Sequence, residues 1–161
     1  MEVLERIKNI IHRFAKKNVW VAVAESCTGG YVSHMITNIS GASKVFERGI
    51  VSYGNQAKID ILKINAKIIE DYGAVSEEVA RQMAANVRTI SKRCDIGIGI
   101  TGIAGPTGET PGKPLGLVYV GFSTPKEIVV KKFIFDTDRI TFKEKVLEEI
   151  VKLLEDYLVL K

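Results

Sequence analysis

Val3, Leu4, Ile7, Ile10, Ile11 and Phe14 recur at three- and four-residue spacing with charged residues between them, so the chain opens on an amphipathic helix over 3–14. The pattern then changes. Residues 19–24, VWVAVA, are apolar without alternation, which suits a strand buried on both faces of a covered, largely parallel sheet. Gly29-Gly30 followed by Tyr31, Met35 and Ile36 predicts a short helix directly after it. Residues 45–53 read as a second strand, broken at Gly49, and 55–64 as a helix. Ser76 before Glu77 and Glu78 is a helix start with a capping hydroxyl and acids in the first turn, and Val79, Ala80, Met83, Ala84, Val87 and Ile90 continue its apolar face. DIGIGIT at 95–101, LGLVYVGF at 115–122 and IVVKKFIF at 128–135 are three further strands, the last two joined by a short proline-containing turn that predicts a hairpin. Thr141-x-x-Glu144 reads as a capping box opening a final helix, with Val146, Leu147, Ile150, Leu153, Leu154, Tyr157 and Leu158 as its stripe. Strands interleaved with helices give an α/β protein, a three-layer α/β/α sandwich on a mixed, mostly parallel sheet of about five strands. No repeat or linker interrupts residues 1–161, which fit one domain.

Composition narrows the function classes. With 46% hydrophobic and 26% charged residues and only 4 prolines, the chain is globular rather than disordered or fibrous. The 23 basic residues against 19 acidic ones leave a net +4 that is spread through the chain, so nothing demands a nucleic-acid partner. Cys27 and Cys94 make neither a disulfide framework nor a metal motif, and a reducing, cytoplasmic setting is expected. With His12 and His34 as the only histidines, a metal site lacks ligands. No apolar run approaches the ~18 residues of a membrane span, and the charged start MEVLERIKNIIHRF is unlike a signal peptide.

Three stretches can carry chemistry. Glu25-Ser26-Cys27-Thr28-Gly29-Gly30 lies at the carboxyl end of a buried strand and opens a helix, where α/β sheets bind ligands. The glycines let backbone approach a ligand, and the helix-start N–H groups from Thr28 to Gly30 can hold an anion or a developing oxyanion. Ser26 stands where a nucleophile would; the plainer alternative is a polar turn whose hydroxyl caps the helix. In the second stretch, 52–58, Tyr53 ends a strand and Lys58 follows by about one helical turn, so both can face one cleft. A serine without a histidine needs another base, and a lysine deprotonated by burial, relayed through a tyrosine hydroxyl, supplies one. The alternative is a core tyrosine and a solvated lysine. The third stretch, 101–114, is a long Gly/Pro-rich connection of the kind that tends to be functional, and it offers Thr101, Gly102 and Gly105. It is no Walker A loop, and the GxGxxG match at 97–102 falls inside a predicted strand with no helix after it. Cys27 is a rival nucleophile with no neighbouring histidine to make it a thiolate.

AESCTGG at 24–30, GAS at 41–43, VSYGNQAK at 51–58, GAVSEEVA at 73–80, TGIAGPTGETPGKPLG at 101–116 and TDR at 137–139, in that order, resemble the CinA C-terminal domain family. These are competence-damage-inducible proteins whose enzyme members are nicotinamide-nucleotide amidases. The resemblance implies a compact α/β/α fold and hydrolysis of nicotinamide mononucleotide to nicotinic acid mononucleotide and ammonia, in pyridine-nucleotide recycling. It implies Ser26 as nucleophile, Tyr53 and Lys58 as its activating partners, and no cofactor or metal. Thr28, Gly29, Gly30, Thr101, Gly102 and Gly105 form the expected substrate-binding set. Arg139 joins them for the substrate phosphate, supported by the N–H groups of a helix starting at Thr141, against the alternative of a surface arginine paired with Asp136 or Asp138. Ser40 and Thr137 depart from the family's usual Pro and Gly. The further N-terminal domain of longer members, and its activity, are expected to be absent. The rivals are a non-catalytic module binding nucleotides or DNA-recombination partners, and a phosphoryl-transfer enzyme, for which no pair of metal-binding carboxylates stands out. Self-association is left open.

Overall fold

The apolar stripe at the start of the chain is the buried face of α1 (Val3–Lys17): Ile7, Ile10, Ile11 and Phe14 enter the core, while Leu4 stays exposed. The computed structural model, which describes residues 2–160, continues with β1 (Val21–Glu25), α2 (Tyr31–Thr37), a 3-10 turn (Ala42–Lys44) and β2 (Phe46–Val51). Then come α3 (Asn55–Asp60), α4 (Ala66–Tyr72), α5 (Glu77–Ile90), β3 (Ile96–Gly102), β4 (Leu117–Ser123), β5 (Ile128–Ile134) and α6 (Arg139–Val159). The sheet order is β2-β1-β3-β4-β5. β1 pairs in parallel with β2 and β3, whereas β4 is antiparallel to both β3 and β5. Only β4 therefore opposes the common direction, which is the expected mixed, mostly parallel five-stranded sheet, with the β4–β5 hairpin in place. Among the described residues no helix is long and apolar enough to cross a membrane.

The two faces of the sheet are built differently. Val21, Val23, Ile96, Ile98, Ile100, Val118 and Val120 meet α1, α2 and α6 in one large core. Ala22 and Ala24 look the other way, toward Leu62, Ile64 and α5. On that second face α5 lies directly on glycines. A side chain at Gly99 would begin 2.5 Å from the Ala84 amide nitrogen and 2.7 Å from the Ala80 carbonyl oxygen, and Gly97 and Gly121 are covered by Ala84 and Ala80 in the same way. The glycines of the GxGxxG match are thus strand residues: Gly97 and Gly99 make room for α5, and Gly102 for the backbone of β4 at Leu117 and Val118.

Local structure departs from the sequence reading at four places. Gly49 does not break β2, for it pairs with Val23 inside the strand; a side chain there would meet Ser33 Cβ at 2.9 Å, so the glycine admits α2. The helix expected over 55–64 stops at Asp60, because Lys63 turns left-handed (φ 57°) and lets Leu62 and Ile64 drop into the core. α4 was not foreseen, and it buries no residue fully, so it leaves little apolar periodicity to read. The capping box at Thr141 is replaced by Asp138, whose carboxylate accepts from the amides of Ile140 and Thr141 and from the Thr141 hydroxyl; an ionised oxygen pair takes more donors than a hydroxyl can. The Ser76 cap is present as read, accepting from the Val79 amide.

The glycine seat of α5 gives a stability prediction. Gly99→Ala must push backbone against backbone, and it should destabilise the fold by about 1–3 kcal/mol. Urea unfolding checks this, with Gly54→Ala, where open space surrounds the added methyl, as the control.

Candidate active site

Where β1 ends, Glu25 is fully buried. Its carboxylate accepts five hydrogen bonds: from the Thr28 hydroxyl (2.7 Å), the amides of Gly30 (3.1 Å), Val32 (3.1 Å) and Ser33 (2.8 Å), and the Ser33 hydroxyl (2.6 Å). Every partner donates, the role that suits an ionised carboxylate. Gly29 (φ 59°) and Gly30 (φ 94°) supply the left-handed backbone that curls the turn around it. The backbone of Ser26 is fixed from both neighbours. Its amide donates to the Ile100 carbonyl of β3 at 3.0 Å, while the Glu25 carbonyl accepts from the Ser52 amide beyond β2 at 2.8 Å. The ends of β1 and β2 therefore bring Ser26 beside Ser52 and Tyr53.

Lys58 completes the cluster from α3. It is 1% exposed, and its Nζ lies 3.0 Å from Ser26 Oγ, 2.9 Å from the Ser52 carbonyl oxygen and 3.0 Å from the Tyr53 carbonyl oxygen. Burial lowers the lysine's pKa from its ordinary value. Nζ donates to both carbonyls and to Ser26 Oγ, and Ser26 Oγ in turn donates to the Tyr53 carbonyl at 3.5 Å; loss of one Lys58 proton would free a lone pair for the Ser26 hydroxyl. The neighbouring Cys27 thiol is pushed up to about 12 by burial, so it is not a thiolate at neutral pH.

A cavity of about 270 Å³ opens over this group. Its wall includes Ser26, Tyr53, Lys58, Thr101, Gly102, Gly105 and Arg139 from the sequence-predicted set. Thr101 is a buried support, its hydroxyl donating to the Ala74 carbonyl at 2.7 Å and tying the 74–75 wall to the 101–108 loop. Arg139 is not held off by Asp136 or Asp138. It is the first residue of α6, and it donates to the Gly105 carbonyl at 2.7 Å and to the Tyr53 hydroxyl at 3.4 Å. Tyr53 is 60% exposed, so its ring stands at the mouth of the cavity while its carbonyl serves Lys58. Lys58 reaches Ser26 directly, with no hydroxyl between them.

Thr28, Gly29 and Gly30 lie outside the cavity wall, and three of their donors are committed elsewhere. The Thr28 hydroxyl and the Gly30 amide go to Glu25, and the Gly29 amide goes to the Ser26 carbonyl. Of the helix-start amides expected to meet a substrate, that of Gly30 serves the protein's own carboxylate and that of Gly29 closes the turn. Glu25 was the residue that sequence reasoning missed. An acid closing an apolar strand run, five residues before the glycine-led helix, was its available signal. Asn55 and Thr107 also line the cavity without having been foreseen. Among the described residues, no group of three or more His, Cys, Asp and Glu side chains could hold a metal ion.

A sequence profile of the CinA C-terminal domain matches residues 4–158. The chain is similar to a protein of Thermoanaerobacter sp. (strain X514) named as competence-damage inducible, 46% identical over 155 residues that make up 96% of this chain and 37% of the other. It thus spans little more than a third of that relative's length. Among solved structures, a competence/damage inducible protein from Agrobacterium tumefaciens superposes with a TM-score of 0.88 at 34% identity, covering 98% of this chain and 94% of that one. A CinA superfamily protein from Klebsiella pneumoniae gives a TM-score of 0.94 at 24% identity, with both chains covered completely, and shares the fold.

Replacing Glu25 by Gln keeps the size of the side chain but turns one oxygen into a donor that faces other donors. Glu25→Gln should cost about 2 kcal/mol or more, read by urea unfolding. A loss below half of that would mean that the turn can satisfy its donors without the carboxylate.

Proposed function

The chain belongs to the CinA C-terminal domain family, and on that premise we propose that it is an amidohydrolase that converts nicotinamide mononucleotide to nicotinic acid mononucleotide and ammonia. The observation that carries this reading is the 3.0 Å contact between the hydroxyl of Ser26 and a buried lysine, whose hold on its proton burial weakens, on the floor of a cavity.

Lys58 takes the proton of Ser26 as Ser26 Oγ attacks the carboxamide carbon, giving a tetrahedral oxyanion. That oxyanion falls to donors of the cavity wall, since the opening amides of α2 are spent on Glu25. The Lys58 ammonium then returns its proton to the departing nitrogen, the carbon–nitrogen bond breaks, and ammonia leaves an acyl ester on Ser26. Water, deprotonated by the same amine, attacks the ester, and Ser26 recovers its proton as the acid departs. The carbonyls of Ser52 and Tyr53 hold the amine in place throughout, in its protonated form accepting two of its three N–H bonds. The Tyr53 ring at the mouth flanks the substrate without taking part in proton transfer.

Two results check this. Ammonia release from nicotinamide mononucleotide should fall at least a thousandfold in Ser26→Ala and in both Lys58→Ala and Lys58→Arg, because arginine stays protonated and cannot act as a base. In the wild type kcat/KM should rise with pH, since only the neutral amine accepts the serine proton, and the rise should level off below the ordinary lysine value of 10.5 because burial lowers this pKa. Activity retained by Lys58→Arg would remove the base assignment. Tyr53→Phe, in turn, should keep kcat within about threefold; a loss comparable with that of Lys58→Ala would put the hydroxyl back into the proton path.

A further inference from the structure

Arg139 and Lys143 are four residues apart on α6 and so share one face of it. Arg139 lines the cavity. The Lys143 ammonium lies 3.8 Å from the point where a side chain on Gly29 would begin, so it hangs over the turn that follows Ser26 and Cys27, and its charge is felt by the Cys27 thiol in the cavity wall. Among the described residues neither cation has a carboxylate within ion-pair distance. The acids close in sequence or space are already spent. Asp138 holds the first amides of α6 and the Thr141 hydroxyl, and Glu25 lies buried within the same turn with five donors of its own. Two like charges on one helix face repel each other, and a half-buried ammonium without a counter-charge gains most from an incoming anion.

We propose that Lys143 is a specificity-determining residue that, with Arg139, grips the phosphomonoester dianion of the substrate above the Gly29-Gly30 turn. The proposal rests on the nucleotide reading of the site and deepens it. Arg139 presents a planar fork already steadied by the Gly105 carbonyl, and Lys143 adds a point charge from the next turn of the helix. The reacting amide is then held over Ser26 and Lys58 and the phosphate beside the cavity, at the rim of α6.

The test compares wild type, Lys143→Gln and Lys143→Arg on nicotinamide mononucleotide and on its phosphate-free riboside, with ammonia as the readout. Lys143→Gln should lose about tenfold or more in kcat/KM on the nucleotide, through KM, and change less than about twofold on the riboside, while Lys143→Arg keeps most of the nucleotide activity. Equal losses on both substrates, or no loss on either, would overturn the phosphate contact. Should wild type release ammonia from neither substrate, the amidase reading fails, and the contact is read instead from inorganic phosphate titrated by calorimetry. Binding at least fivefold weaker to Lys143→Gln than to wild type then supports it; equal binding, or none, overturns it.

Discussion

Burying one carboxylate governs the whole end of the sheet where the cavity lies. Glu25 closes β1 with no access to water, a position that costs several kcal/mol unless the charge is met by donors. The chain meets it by winding residues 28–33 around the oxygens, which requires left-handed backbone at two successive positions and a helix that begins at once. Gly29, Gly30, the short α2 and the approach of Ser33 to Gly49 in β2 all follow from that requirement. So does the placing of Ser26, which is clamped between the ladder to β3 and the knot around Glu25. The helix dipole that usually invites a ligand anion here compensates an internal one.

That arrangement divides labour around the cavity. Groups near the sheet are rigid and buried, among them Ser26, Lys58 and Thr101, and their partners are largely main-chain carbonyls. Groups at the mouth are exposed and come from loops or the first turn of α6, as Tyr53, Thr107 and Arg139 do. The first set is suited to chemistry that tolerates no slack, and the second to recognition.

The legible part of the fold was what periodicity records. The apolar runs of β1 and β3, the stripe of α1 and the hairpin of β4 and β5 leave their mark because burial on one or two faces dictates residue type. α4 left none, since it buries no residue fully. The end of α3 depended on a single left-handed lysine, a conformation that the residue type does not announce. In the site, Ser26 and Lys58 could be marked from residue type and spacing, but the direction of Tyr53 could not, because a tyrosine at a strand end can offer either its ring or its carbonyl. The glycine pair was read as room for a ligand. It is room for the chain's own acid, and only the long-range consequence of burying Glu25 distinguishes the two.

Two of the three oxygens that hold the Lys58 amine belong to the peptide groups of residues 52 and 53, not to their side chains. A cradle of this kind is inherited from the path of the strand, and substitution at either position leaves it in place so long as the path survives. A change of side chain at residue 53 therefore reshapes the opening, and releases Arg139 from the tyrosine hydroxyl, while the carbonyls around the Lys58 amine stay where the strand end puts them.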